Sequence, residues 1–220
     1  YLALGDEDMS TRLMEQSLEV GLSRRAEVEA RRTLAEKHVL QATISGGSGQ
    51  YEQAVLALDK AVLIEPKNLM HRLNRGRAYY ELGLYDLARA DYEYVILKDP
   101  QGADAYYYLA LTVGELGHFG YSLESFEEAI RLDPGNRLAY IGRAKFYRDR
   151  HQYEQAIQDY DQAIWLDQGN AKLYAERGAF FTQLGQFDRA IEDFDAAIDL
   201  DPNLASAYSH RGDTYRQLGH

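Results

Sequence analysis

The sequence predicts an all-α solenoid built from antiparallel helix pairs with a 34-residue period. Three observations carry this prediction. The only four prolines, Pro66, Pro100, Pro134 and Pro202, are separated by 34, 34 and 68 residues and share one phase of the period. With the proline set at position 32, position 8 reads Ala42, Gly76, Ala110, Ala144, Gly178 and Gly212, and position 20 reads Ala54, Ala88, Ser122, Ala156 and Ala190. Small residues at fixed places let helix backbones approach closely. Position 15 reads Gly49, Gly83, Gly117, His151, Gly185 and Gly219. Glycine there suits a left-handed residue that ends one helix before the next begins.

Taken in order, residues 1–34 are expected to be a divergent helical segment outside the register. Residues 1–22 read as a half-repeat, with Ser10 and Ser17 in the small positions. Residues 23–34 hold no proline or glycine and many helix formers, so the spacing predicts one long helix running into the first unit. Five units follow over 35–204: 35–68, 69–102, 103–136, 137–170 and 171–204. The fourth has Gln168 in place of the proline, within Leu166-Asp167-Gln168-Gly169-Asn170. The first departs furthest, with Ser45 and Leu58 at places where other units carry aromatics and Gly46-Gly47-Ser48-Gly49 before its turn. Residues 205–220 predict a capping helix, a partial sixth unit with Ser206, Ser209, Asp213, Arg216 and Gln217 on its outward side. The start at Tyr1 and the stop within a unit at His220 suggest a fragment or processed chain.

Seventeen of the 26 aromatics fall at positions 4, 11, 17 and 24, among them Tyr92, Phe126, Tyr160 and Phe194 at position 24. They are expected to fill helix–helix interfaces, because one hairpin is too small to bury its own apolar face. A second pattern is ionic. Arg75, Arg143 and Arg177 stand at position 7 of the units that carry Asp91, Asp159 and Asp193 at position 23. Where the arginine is absent, as at Leu109, so is the aspartate, replaced by Ser125. This joint presence predicts structural ion pairs between the two helices of a unit.

The run Arg177-Gly178-Ala179-Phe180-Phe181 … Gly185 … Phe187-Asp188-Arg189-Ala190 … Phe194 … Ala197 … Asp201-Pro202 resembles the tetratricopeptide repeat, and the likeness extends over residues 35–220. The resemblance implies a right-handed superhelix that acts as a protein-interaction scaffold or adaptor without activity of its own. It also implies that helix-A positions 2, 5, 9 and 12 line a concave inner face. The dicarboxylate clamp by which some family members hold acidic chaperone tails is absent: of its five residues only the Asn at position 6, here Asn74, is present.

Composition narrows the function further. With 24 basic and 35 acidic residues the formal charge is −11, which argues against a nucleic-acid partner. There is no cysteine, which excludes disulfides, zinc–thiolate sites and a cysteine nucleophile. No apolar run is long enough to span a membrane. His38, His71, His118, His151, His210 and His220 show no metal-ligand spacing, and no phosphate loop or nucleophile elbow occurs. Hence no catalytic residue, metal or cofactor is assigned, and the compartment stays open. The aspartate pairs Asp159/Asp161 and Asp193/Asp195 read as a solvated acidic face.

The candidate site is therefore a concave peptide groove. Its expected residues are Leu73, Arg77 and Tyr80, then Tyr107 and Leu111, then Ile141, Lys145 and Arg148. Val39 and Thr43 join it from the first unit, and Gly114, Ala175 and Ala179 are expected to leave room for a bulky anchor. The apolar members would take side chains, and Arg77, Lys145 and Arg148 would hold carboxylates or carbonyls. Two alternatives stand beside this reading: a docking or regulatory region of a larger enzyme, and a self-associating module that dimerises through its terminal helices.

Overall fold

The computed structural model describes residues 24–219. The half-repeat expected over 1–22 lies outside them. Eleven helices and no strand are present among the described residues. They are α1 (Arg24–Gly47), α2 (Tyr51–Ile64), α3 (Leu69–Glu81), α4 (Tyr85–Lys98), α5 (Ala103–Glu115), α6 (Phe119–Leu132), α7 (Arg137–Arg148), α8 (Tyr153–Leu166), α9 (Ala171–Gln183), α10 (Phe187–Leu200) and α11 (Ala205–Leu218). The chain divides into two compact units after Gln101. The N-terminal unit holds α1–α4, and the C-terminal unit holds α5–α11.

Local chemistry explains where the helices stop. Gly49, Gly83, Gly117, Gly185 and Gly219 all take a positive φ, between 70° and 94°. His151 occupies the equivalent turn at φ 57°, the single non-glycine there among the described residues. The turns before the next hairpin use aspartate. Asp99, Asp133 and Asp201 accept from the backbone N–H two residues on, at 3.2, 3.0 and 3.0 Å, while the residue between adds proline's fixed φ. Asn68 and Asn136 then cap α3 and α7 by accepting from Met70 and Ala139, both at 3.2 Å.

In the N-terminal unit, α1 packs on α2, α2 on α3 and α3 on α4. Ala42, Ala54, Ala57, Leu58 and Ala78 make a small core there. In the C-terminal unit each successive pair from α5 to α11 packs, and α5 also meets α7 as α9 meets α11. Its larger core gathers Tyr160, Phe180, Phe181 and Phe194 with Ala144, Ala156, Ala163 and Ala190. Tyr92, Phe126, Tyr160 and Phe194 are all fully buried. Each contributes roughly 2 kcal/mol by leaving water. The rings close onto glycine: a Cβ at Gly76 would lie 2.6 Å from the Tyr92 ring, and one at Gly178 would lie 2.8 Å from Phe194.

Three of the expected interface aromatics are not covered in this way. Tyr208 and Tyr215 are 44% and 39% exposed on α11, since no described helix lies on that side. Phe119 is 51% exposed, and its covering group is a cation. The Arg150 guanidinium lies 3.8 Å from the Phe119 centroid and 3.7 Å from that of Phe146.

Candidate interaction surface

The residues expected to line a groove are divided between the two units. In the N-terminal unit a cleft of about 300 Å³ opens between α1, α2 and α3. Val39, Ala42, Ala54, Leu58 and Ala78 give it an apolar floor, and the Tyr51 ring flanks it. Thr43, Asn74, Arg77 and Glu81 form its polar edge. Gly46 and Gly47 leave one wall without side chains. Arg77 is exposed at this edge. Leu73 is not available: it is only 8% exposed, three residues before Gly76 on the packed flank of α3, where an apolar side chain gains most by burial. Tyr80 lies outside the cleft, half-buried against the Tyr85 ring at 5.5 Å.

In the C-terminal unit, Leu111 and Ile141 are half-buried and Lys145 and Arg148 are exposed. Arg148 donates to its neighbour Asp149 at 2.9 Å. Ile141 also packs on the main core. Tyr107 serves packing: its ring meets Tyr108 at 4.9 Å and Phe126 at 6.4 Å, and it lies 3.2 Å from where a Gly142 Cβ would stand. The room expected from small residues is partly filled. Ala175 is buried with Ala171, Ala197 and Ala207, and a Cβ on Gly114 would lie 3.2 Å from Ser122 Oγ.

The arginines of position 7 are engaged elsewhere. Arg75 donates to Asp91 through Nε and Nη2, both at 2.7 Å, and through Nη1 to Asp59 at 2.7 Å. Arg143 holds Asp159 at 2.9 and 2.7 Å. Arg177 holds Asp193 at 2.9 and 2.7 Å and Asp161 at 2.6 Å. Arg211 bonds Asp195. In the C-terminal unit the pairs thus form a ladder whose rungs alternate within and between hairpins. The solvated acidic face read from Asp159/Asp161 and Asp193/Asp195 is corrected by this geometry. Asp159 and Asp193 are buried, and each second aspartate reaches the arginine of the following helix. Two side chains two residues apart on a helix point apart, which is why they serve different partners.

The aspartate partners strengthen the hold of these arginines on their protons. Burial works against the Arg75 charge, yet bonds from Asp91 and Asp59 outweigh it and raise its pKa above the ordinary value. At Arg177 the bond to Asp193 is the leading cause of the same rise. These arginines spend their donors on aspartates of the flanking helices. Among the described residues no group of three or more His, Cys, Asp or Glu side chains is placed to hold a metal ion. No described helix is long and apolar enough to cross a membrane.

Comparison with known proteins agrees with this architecture. The tetratricopeptide-repeat family profile matches residues 39–103, 73–117 and 109–172, and a second TPR profile matches residues 180–219. The chain belongs to the tetratricopeptide-repeat family. Among curated proteins none matches it. Among solved structures it is similar to the MamA protein, with 22% identity, a TM-score of 0.63, and 78% of this chain and 94% of that one covered. A thermophilic TPR protein from Thermus thermophilus is similar at 16% identity and TM-score 0.68, covering 82% of this chain and 98% of that one. YrrB, described as a TPR protein with an unusual peptide-binding site, is similar at 18% identity and TM-score 0.62, covering 86% and 97%. At these identities the likeness establishes the fold.

Proposed function

We propose that this chain is a protein-interaction scaffold whose inner helix faces hold an extended peptide segment of a partner protein. The cleft of the N-terminal unit carries the reading. It is the size of small-ligand sites, and it combines an apolar floor with a few polar groups at its edge. In the C-terminal unit, Leu111, Ile141, Lys145 and Arg148 offer an accessible mixture of apolar and cationic groups. The peptide-binding site ascribed to YrrB adds support by analogy of fold.

The test is selection of binders from a random peptide library displayed on phage, using the whole chain as bait. The expected result is peptides whose binding weakens in the variant R77A/K145A/R148A. Selected peptides that bind this variant and the parent equally would overturn the charged part of the reading. Failure to select any peptide that contacts α1, α3, α5, α7 or α9 would overturn it entirely.

Exposed Tyr208, Tyr215 and Leu218 on α11 favour a second reading, association of two copies through this helix. Sedimentation equilibrium decides it: a monomer of 25.1 kDa at every concentration excludes it.

A further inference from the structure

The glycines of the described residues sit in different surroundings. Some sit in left-handed turns, and Gly76, Gly142 and Gly178 give way to rings that leave no room for a Cβ. Gly46 and Gly47, like Gly120 on α6 and Gly212 on α11, meet nothing, but of these open helical glycines it is Gly46 and Gly47 that line the cleft. They lie in the last turn of α1, neither has a positive φ, and a Cβ at either meets nothing within 4 Å. Each weakens the helix by about 1 kcal/mol relative to alanine. Backbone geometry and packing therefore give no account of them.

Their effect is to keep one wall of the cleft open. The same hairpin lacks two ring side chains: Ser45 and Leu58 occupy places where Tyr79 and Tyr92 stand in the next one. Leu58 is part of the floor, so a smaller group there also deepens the space. The polar edge is mixed. Asn74 and Arg77 offer donors, and Glu81 offers an acceptor. That combination matches a peptide amide, which presents one carbonyl and one N–H, better than it matches a carboxylate. An apolar floor beneath an amide-matching edge fits one amino-acid residue with a bulky uncharged side chain.

We propose that this cleft is the anchor pocket of the interaction surface. It takes a single bulky apolar side chain of the partner peptide, of leucine or phenylalanine size, with the adjoining amide along Asn74, Arg77 and Glu81. Gly46 and Gly47 are its specificity-determining residues, because they line the space without a side chain of their own. This assignment rests on the peptide-binding reading above.

The experiment uses N-acetyl-leucinamide and N-acetyl-phenylalaninamide as probes, with the corresponding blocked aspartate as comparison. Binding is followed by NMR on the whole chain. The expected result is saturable shifts at Val39, Ala42, Gly46, Gly47, Leu58 and Ala78 with the apolar probes, and binding at least roughly ten-fold weaker with the aspartate probe. Gly46→Leu abolishes those shifts while circular dichroism and the thermal midpoint stay at or above the parent's. Gly46→Ala, a smaller intrusion, weakens them. Absence of shifts at the cleft, equal binding of the aspartate probe, or undiminished binding in both folded variants overturns the assignment. A library peptide that docks on the inner helices but ignores Gly46→Leu overturns the anchor alone and leaves the peptide-binding reading standing.

Discussion

Arg177 on α9 and Asp161 on α8 belong to different hairpins, yet they meet at 2.6 Å while the same arginine grips Asp193 within its own hairpin. One guanidinium thus ties two carboxylates through separate nitrogens, which lysine could not do in this geometry. Arg177→Lys is expected to lower stability by about 1–2 kcal/mol in urea unfolding, since a charge-assisted bond is lost. An unchanged midpoint would show that the link between hairpins adds nothing.

The chain contains its own neutral version of a rung. Leu109 and Ser125 stand where Arg143 and Asp159 pair, and both are buried. Arg143→Leu alone leaves a buried carboxylate unpaired and is expected to cost about 3 kcal/mol. The double variant R143L/D159S is expected to recover to within about 1 kcal/mol of the parent. A double-mutant cycle without that recovery would show that the pair has no coupling.

The two helical glycine environments predict opposite signs for one chemical change. Gly178→Ala drives a methyl into the buried Phe194 ring and is expected to destabilise by about 2 kcal/mol. Gly46→Ala meets open space and is expected to stabilise by up to about 1 kcal/mol. Thermal unfolding of the two variants side by side checks both.

His151→Gly relieves the left-handed turn between α7 and α8. The gain is expected to be about 0.5–1 kcal/mol, reduced by the larger freedom of glycine in the unfolded chain. The variant also loses the 2.7 Å bond between the imidazole Nδ1 and the Tyr153 hydroxyl, which is exposed and worth little. A lower thermal midpoint would show that this contact outweighs the strain.

Burial pushes the Asp159 and Asp193 carboxyls above the ordinary range, although Arg143 and Arg177 draw them down. A raised folded pKa means that the folded state binds the proton more tightly than the unfolded chain. The contribution of these two groups to stability is therefore fully present below the unfolded carboxylate pKa and is lost as pH rises through the folded values. Glu128, bonded by Arg131, is shifted downward instead. In a carboxyl-carbon NMR titration Asp159 and Asp193 are expected to titrate above Glu128, and the reverse order would refute the assignment.

Much of this was legible from residue types alone. Helix pairs follow from a period marked by small residues, glycine turns and prolines, because those requirements are local and repeat. The within-hairpin ion pairs could be read from charges that come and go together. The rungs between hairpins were missed, although a signal existed: Asp161 precedes Arg177 by the same sixteen residues that separate Arg177 from Asp193. Leu73 was misplaced for a different reason. Helical spacing fixes the angle of a side chain about its axis, but the width of the buried strip depends on which neighbours close over it. Tyr107 is the same case, since its ring lies over Gly142, a glycine outside the regular small positions. The cleft beside Gly46 and Gly47 shows in the sequence only as a glycine-rich run before a turn, because an empty volume has no residue to announce it.

The alternating rungs bear on how such an array could be cut and rejoined. A segment comprising 171–204 would take Arg177, Asp193 and Asp195 with it but leave behind Asp161 and Arg211, one binding mate at each seam. The hairpins of this chain are for that reason not interchangeable bricks. A chimera would inherit a bare carboxylate at one joint and a guanidinium lacking one of its two anchors at the other, unless both flanking charges were grafted along with it.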